Sequence, residues 1–175
     1  FSSRRRHTRY ISVTGVQTCA LPISLEALSA ILEKAAQHCE QRGIDPQAFL
    51  QSRLFPDMFP LTRQVQIATD MVKGAAARLS GQQMPVYPDV ETTFAELQDR
   101  IRRTIDYLNT FEPEQIDGSE AREIVIPLRD REVRMDGQSY LTSWVLPNFH
   151  FHAVTTYNLL RHGGVALGKR DFLGG

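Results

Sequence analysis

The sequence predicts an all-α protein, a four-helix bundle with a small β-hairpin between helices three and four. Three observations lead to this fold class. Four segments carry apolar residues at alternating steps of three and four, which is the spacing of one helix face. One short segment before the last of them has a period of two, which is typical of a strand pair. Helices with a single apolar stripe can bury it only against one another, so a bundle is the economical arrangement.

The first two helices are predicted over residues 25–42 and 61–79. Gly43 and Gly81 follow these segments, and glycine in that position favours a helix end. A proline-containing loop separates the two helices. The predicted inward faces are Leu28, Leu32, Ala35 and Cys39 in the first helix, and Leu61, Val65, Ala68, Met71, Val72, Ala75 and Leu79 in the second.

The third helix is predicted to begin at a capping box formed by Thr93 and Glu96. The Thr93 hydroxyl can accept a hydrogen bond from the N–H of Glu96, and the Glu96 carboxylate can accept one from the N–H of Thr93. Glu112-Pro113 then ends the helix. The predicted buried face consists of Phe94, Leu97, Ile101, Ile105 and Leu108.

A hairpin is predicted between residues 123 and 134, and the fourth helix is predicted to begin with Ser139 as its cap. The polar residues 129–131 form the hairpin turn. The helix runs to Gly163-Gly164, with a kink at Pro147 because proline lacks an N–H group. The predicted inward residues are Ile124, Ile126, Leu128, Val133 and Met135 in the hairpin, and Leu141, Trp144, Val145, Thr155 and Leu159 in the helix.

The composition is that of an ordinary single-domain protein. The chain has 175 residues, 42% hydrophobic and 23% charged, with twenty basic and twenty acidic side chains. Zero net charge and the lack of an apolar run of about 18 residues predict no nucleic-acid partner and no membrane partner. Two cysteines imply no disulfide framework, and we expect a cytoplasmic location. Arg100, Arg102 and Arg103 lie among acidic residues and are interpreted as an ordinary solvated helix face.

Residues 1–24 do not match the pattern of the rest. They contain four arginines and no acidic residue, and their apolar residues are scattered. The segment resembles the conceptual translation of sequencing-adapter DNA, and a disordered basic arm is the alternative. We therefore expect residues 1–24 to be non-native and disordered, and residues 25–175 to be the domain, truncated at the start of its first helix. Without the four arginines this domain has sixteen basic and twenty acidic residues, a net charge of −4.

Three polar residues fall on the predicted inward faces. Asn148 and His152 are four residues apart, so their side chains stand one above the other on the fourth helix. Gln64 lies three residues after Leu61 and four before Ala68 on the second. A buried polar group left unpaired costs about 1–3 kcal/mol, so these side chains either satisfy one another or bind something. We expect the three to converge in the bundle core, and a purely structural interpretation pairs His152 with Asn148 or Gln64.

Two stretches of the chain carry a resemblance to a known family. They are FPDMFPLTRQVQIATDMVKGAAARL and PNFHFHAVTTYNLLRHGGVALGKRDFLG. With the rest of residues 25–174 they resemble an uncharacterised bacterial family, domain of unknown function number nineteen ninety-three, in the DinB-like superfamily. The resemblance implies a DinB/YfiT-like four-helix bundle, often a homodimer. It also implies a divalent metal in many members, held by one histidine of the second helix and a His-x-x-x-His pair ahead of Leu-Leu-Arg on the fourth.

This chain departs from that pattern at two of the three metal positions. His152 stands seven residues before Leu159-Leu160-Arg161, where the second histidine of the pair is expected, and Asn148 takes the place of the first. Gln64 takes the place of the histidine on the second helix, with Gln66 as the alternative register. Amide oxygens are weak ligands for zinc-like ions, so the metal site is predicted to be degenerate. We expect no cofactor, and zinc or nickel bound through His152 is the alternative.

Three kinds of function remain open from the sequence. The first is a small-molecule binding protein, whose ligand contacts are Gln64, Asn148, His152 and Tyr157. The second, by analogy with the superfamily, is a metal-dependent transferase or hydrolase. The third is a non-catalytic homodimeric scaffold that uses an exposed apolar helix face as its interface. The residues indicate neither a substrate nor a pathway.

Overall fold

The computed structural model describes residues 13–175, with side chains from residue 21 onward. Four long helices form the bundle that the sequence predicts, and shorter helices join or extend them. In chain order the helices are α1 (Val13–Arg42), the short α2 (Gln47–Leu50), α3 (Leu61–Ser80), α4 (Phe94–Leu108), the short α5 (Pro113–Ile116) and α6 (Gly137–Ser139), α7 (Leu146–His162) and the short α8 (Lys169–Leu173).

Helix α3 has the central place in the packing. It packs most extensively on α7 and also on α4, while α4 and α8 both pack on α1. Each fully buried Leu, Ile, Val or Phe side chain in such a core contributes about 1.5–3 kcal/mol. The buried apolar residues include most of those predicted, among them Leu28, Leu32, Leu61, Val65, Val72, Leu97, Ile101, Leu141, Val145 and Leu159.

The ends of α3 and α4 follow the predicted local signals. Gly81 ends α3 with a φ of 74°, a left-handed conformation that glycine adopts without steric cost. The capping box of Thr93 and Glu96 opens α4, with both reciprocal hydrogen bonds present. Helix α4 ends at Leu108, before the predicted stop, and Pro113 opens the short α5 instead.

The predicted hairpin is present as an antiparallel pair of strands, β1 (Glu123–Pro127) and β2 (Glu132–Asp136). The residues predicted to face inward on the two strands stand opposite each other in pairs. These pairs are Ile124 with Met135 and Ile126 with Val133. The two isoleucines are buried and belong to the main hydrophobic core, so the hairpin is part of the bundle and not a separate unit.

The fourth long helix begins differently from the prediction. The capping residue is Asp136 and not Ser139. The Asp136 carboxylate accepts a hydrogen bond from the Ser139 N–H at 2.8 Å. A π-helix covers Tyr140–Val145, and α7 follows from Leu146. Pro147, the predicted kink, has no N–H to donate to the carbonyl four residues before it. The change from π-helix to α-helix falls at this point.

Helix α1 runs through the predicted domain boundary at residue 25. It begins at Val13, and the side chain of Leu21 is buried one turn before Leu25, in phase with the inward face. Residues 13–24 are part of α1 in the structure, while residues 1–12 lie outside the described part. The adapter origin of the segment, its disorder and the domain boundary stay predictions. Within residues 13–175 no helix, α1 included, is long and apolar enough to cross a membrane.

The interpretation of Arg100 as part of a solvated helix face is wrong. Its side chain is buried, with the residue 1% exposed. The guanidinium Nη2 lies 2.9 Å from Oδ1 of Asp70 and 3.0 Å from Oδ1 of Asp89, and Nη1 lies 3.0 Å from Oε1 of Glu91. The Nε–H donates to the Thr69 hydroxyl at 2.8 Å. One side chain of α4 therefore ties together α3, α4 and the segment that connects them.

Lys73 extends this network on α3. Its buried Nζ lies 2.8 Å from Oδ1 of Asp70 and 3.8 Å from the ring centre of Tyr87. The guanidinium carbons of Arg100 and Arg103 lie 5.7 Å and 4.4 Å from the same ring centre, and the Tyr87 hydroxyl donates to the Arg103 carbonyl. Cations over an aromatic face are attracted by its negative quadrupole. Charges and one aromatic ring thus hold the connection between α3 and α4 against the bundle.

Replacing Arg100 with Met tests this network. The change leaves three carboxylates without their shared cation, and breaking a buried ion pair costs about 3–5 kcal/mol. Because Asp70 and Asp89 are partly exposed and can be rehydrated, we expect the free energy of unfolding, measured in urea, to fall by about 3 kcal/mol. The matched control is Arg102→Met on the same helix, whose ion pair with Asp99 is exposed and whose loss costs less than about 1 kcal/mol. Equal losses in the two variants would contradict the assignment.

Replacing Leu21 with Ala tests whether α1 packs on the bundle before residue 25. A buried Leu→Ala change costs about 2–5 kcal/mol, because it removes apolar burial and leaves a cavity. The control is Ile23→Ala, since Ile23 is 59% exposed in the same helix. We expect Leu21→Ala to lower the free energy of unfolding in urea by at least about 2 kcal/mol and Ile23→Ala to change it little. If both variants unfold like the parent chain, this part of α1 makes no packing contribution.

Candidate functional site

The structure brings together two of the predicted site residues, Gln64 of α3 and His152 of α7. The Nδ1 atom of His152 lies 2.6 Å from Oε1 of Gln64. Both side chains are buried where α3 and α7 pack on each other, and His152 is 8% exposed. The helical phase predicted from the apolar stripes placed both on inward faces, so their convergence was readable from the sequence.

The hydrogen bonds of Gln64 determine the tautomer of His152. Its amide Nε2 donates to the backbone carbonyl of Phe59 at 2.9 Å, and a carbonyl can only accept. The other end of the amide, Oε1, is therefore an acceptor facing His152. The ring must carry its proton on Nδ1 to donate to that oxygen, which leaves a lone pair on Nε2.

The environment keeps this imidazole neutral. Burial lowers the pKa of His152 below its usual value, because removal from water disfavours the charged ring. The positive charge of Arg63, on the same helix as Gln64, lowers the pKa further. The guanidinium of Arg63 also contacts Asp89, which links this site to the Arg100 network. At neutral pH the ring is therefore a hydrogen-bond acceptor at Nε2 and not a cation.

The Nε2 atom of His152 is reached by solvent. It makes no hydrogen bond to a described residue. In the described part of the chain, the polar side-chain atoms that lack both a partner and contact with solvent are the hydroxyl oxygens of Tyr107 and Ser119, and Nε2 of His152 is not one of them. Phe59 supplies the carbonyl that holds Gln64, and the exposed Phe151 ring stands edge-on to the His152 ring at 5.2 Å between centres. The acceptor-bearing ring of His152 thus has one exposed aromatic side chain next to it.

Asn148 does not join Gln64 and His152 in one polar cluster. It is half-buried, and its Nδ2 donates to the carbonyl of Trp144 at 2.7 Å, within its own helical segment. The helical phase was correct, but the π-helix ahead of α7 offers a carbonyl to which the Asn148 amide turns.

Tyr157 lies on a different side of α7. It is five residues after His152, a rotation of about 140° from it, and its ring packs on Phe172 at 5.9 Å between centres.

Gln66, the alternative to Gln64, donates to the Glu91 carboxylate and so faces the charged network. The Phe59 carbonyl carried no signal in the sequence because its position depends on the loop before α3, and the Arg63 charge carried none because its effect on His152 depends on how α3 and α7 pack.

The donor atoms at this site do not fit a zinc or nickel ion. Both ends of the Gln64 amide are already used, one by His152 and one by the Phe59 carbonyl. Asn148 can offer only an amide oxygen, which is a weak ligand for these ions. Among the described residues there is no group of three His, Cys, Asp or Glu side chains that could hold a metal. His152 Nε2 is therefore a single strong donor without partners of its kind.

Comparisons with known proteins agree with this description of the fold. The model of a family described as Domain of unknown function (DUF1993) matches residues 18–173, a range that begins inside the segment predicted to be adapter-derived. The crystal structure of a DinB family member from Shewanella denitrificans has 37% sequence identity and a TM-score of 0.84, and the match covers 90% of this chain and 89% of that chain. A comparison with curated proteins gives no match. The predicted DinB-like resemblance is confirmed.

The protonation of His152 makes stability depend on pH. Because its pKa is lowered in the folded chain, the unfolded chain binds this proton first as the pH falls below about 6.5. The free energy of unfolding therefore decreases as the pH falls from that value toward the folded-state pKa, and it is higher above it. Subtracting the urea-unfolding curve of His152→Phe from that of the parent chain isolates this term. A difference that does not change between about pH 5 and 7 would show that the ring titrates normally.

Proposed function

The chain belongs to the family described as Domain of unknown function (DUF1993), and we propose that it binds a small molecule at His152 without a resident metal. The observation that carries this proposal is the Gln64–His152 hydrogen bond, which holds a neutral ring in one tautomer and leaves Nε2 as an acceptor that solvent reaches. Such preorganisation favours a ligand because no ring rotation or proton shift is needed on binding.

The chemistry of the site indicates the class of ligand. A neutral Nε2 accepts a hydrogen bond, so the ligand carries a donor such as a hydroxyl or an N–H group. The exposed ring of Phe151, 5.2 Å between centres from the His152 ring, offers apolar contact beside it. A ligand with a flat apolar part and one donor satisfies both conditions. Binding sites of this kind are mostly apolar, with few polar groups that orient the ligand.

A metal-dependent transferase or hydrolase is the less favoured function for this chain. Activation of a bound water or a thiol by zinc requires about three protein ligands, and the polar groups around His152 supply one strong donor. The Gln64 amide instead holds the Nδ1–H of the ring, which is the role that outer residues have around metal-binding histidines. In our proposal that arrangement serves hydrogen bonding to an organic ligand.

Phenol is a suitable probe, because it combines an aromatic ring with one hydroxyl donor. We expect phenol to shift the ¹⁵N resonance of His152 Nε2 in NMR titrations and to raise the Tm of the parent chain. Toluene, which has the same ring without the donor, should leave the Nε2 resonance in place. His152→Phe should lose the part of the Tm increase that depends on the hydroxyl, whereas His162→Phe, a change at an exposed histidine of the same helix, should keep it.

The same preparations distinguish the metalloenzyme. Protein purified without a histidine tag should contain well below one zinc or nickel ion per chain, and added zinc should leave its Tm unchanged. A stoichiometric ion whose removal lowers the Tm would overturn the proposal in favour of the metal-dependent function. An Nε2 resonance that ignores phenol, or that responds equally to toluene, would refute ligand binding through His152.

A further inference from the structure

A cavity of about 130 Å³ lies between α1, α7 and α8, away from His152. Its floor is formed by buried apolar side chains, Leu28 and Ile31 of α1 and Phe149 of α7. The polar side chains at its wall are those of Ser24 and His150. Neither His152 nor Gln64 lines the cavity, so it is distinct from the site proposed above.

Two small residues account for the empty volume. Ala27 of α1 and Ala153 of α7 both line the cavity and are both buried. Larger apolar residues at these positions would fill the space between the helices, as they do elsewhere in the core. An engineered cavity of about 150 Å³ lined by Leu, Ile and Phe stays dry and takes up benzene, so a cavity of this size and lining suits one apolar ring.

The short helix α8 covers part of the cavity from outside. Phe172 and Leu173 of α8 line it, and the ion pair between Lys34 Nζ and Asp171 Oδ1, at 2.5 Å, holds α8 on α1. Ion pairs exposed to solvent are weak, typically below about 1 kcal/mol. The packing of Phe172 on Tyr157 also holds α8 in place, so a small molecule would enter at the mouth beside the exposed His150.

The geometry points to a binding site for a single aromatic ring in this cavity. The rings of Phe149 and Phe172 stand at its wall, and aromatic pairs gain from edge-to-face packing beyond the area they bury. The His150 ring already stands edge-on to Phe149 at 5.4 Å between centres. A polar substituent on the bound ring would face His150, which is exposed at the mouth, while the ring itself lies among Leu28, Ile31 and Phe149.

Benzene tests the site without any polar group that His152 could bind. We expect it to raise the Tm of the full chain by about 2–4 °C at five times its Kd, since a ligand that binds only the folded state stabilises it by mass action. Methyl resonances of Ala27, Leu28, Ile31 and Ala153 should move together in the same titration. If the Tm does not change up to the solubility of benzene, or if the shifted methyl groups lie elsewhere, the inference is wrong.

Filling the cavity provides the second arm. Ala153→Leu should abolish the effect of benzene on the Tm without lowering the Tm of the free protein, because the added side chain takes the space of the ligand. Ala95→Leu, at an exposed position of α4, is the matched control and should keep the full effect of benzene. If Ala153→Leu does not fold, Ala27→Leu fills the cavity from the opposite wall and must give the same loss. A cavity-filled variant that still responds to benzene would overturn the assignment.

Discussion

The buried guanidinium of Arg100 is the interaction on which the arrangement of α3 and α4 depends. Three carboxylates and a threonine hydroxyl surround it, so a charge that would be costly in the core is compensated by partners from α3 and from the segment between α3 and α4. Lys73 shares Asp70 with it. Since α3 also forms the main contact with α7, the position that Arg100 gives to α3 extends to the other half of the bundle.

The candidate site follows from the contact between α3 and α7. One hydrogen bond crosses this contact, from His152 to Gln64, and the Phe59 carbonyl at the start of α3 determines its direction. The site therefore joins a helix pair and a loop, and both must be in place for the ring to hold one tautomer. The aromatic cavity under α8 depends on another pair, α1 and α7. The two sites use different faces of α7 and share no lining residue, so they can be tested independently.

Much of the fold could be predicted because its signals are local. The stripe of α3, the capping box at Thr93 and the alternating residues of the hairpin each depend on residues a few positions apart, and the structure has them as predicted. Gln64 and His152 were also found, because helical phase alone shows which way a side chain points. The prediction for Arg100 was wrong. Acidic neighbours on the same helix suggested a solvated face, but the ion-pair partners of Arg100 lie on α3 and on the segment before α4.

The sequence by itself determined the four long helices, the end of α3, the cap of α4 and the two polar residues that face the core, because hydrogen bonding within a turn or a helix is decided by near neighbours. Only the tertiary structure decided which partners those polar groups have. Gln64 and His152 are 88 residues apart, and Arg100 is 30 residues from Asp70. The amide of Asn148 turned to a carbonyl that the π-helix offers, and the ring of Tyr157 turned to α8. A buried polar group takes the partner that packing brings within reach, and that is a property of the whole bundle.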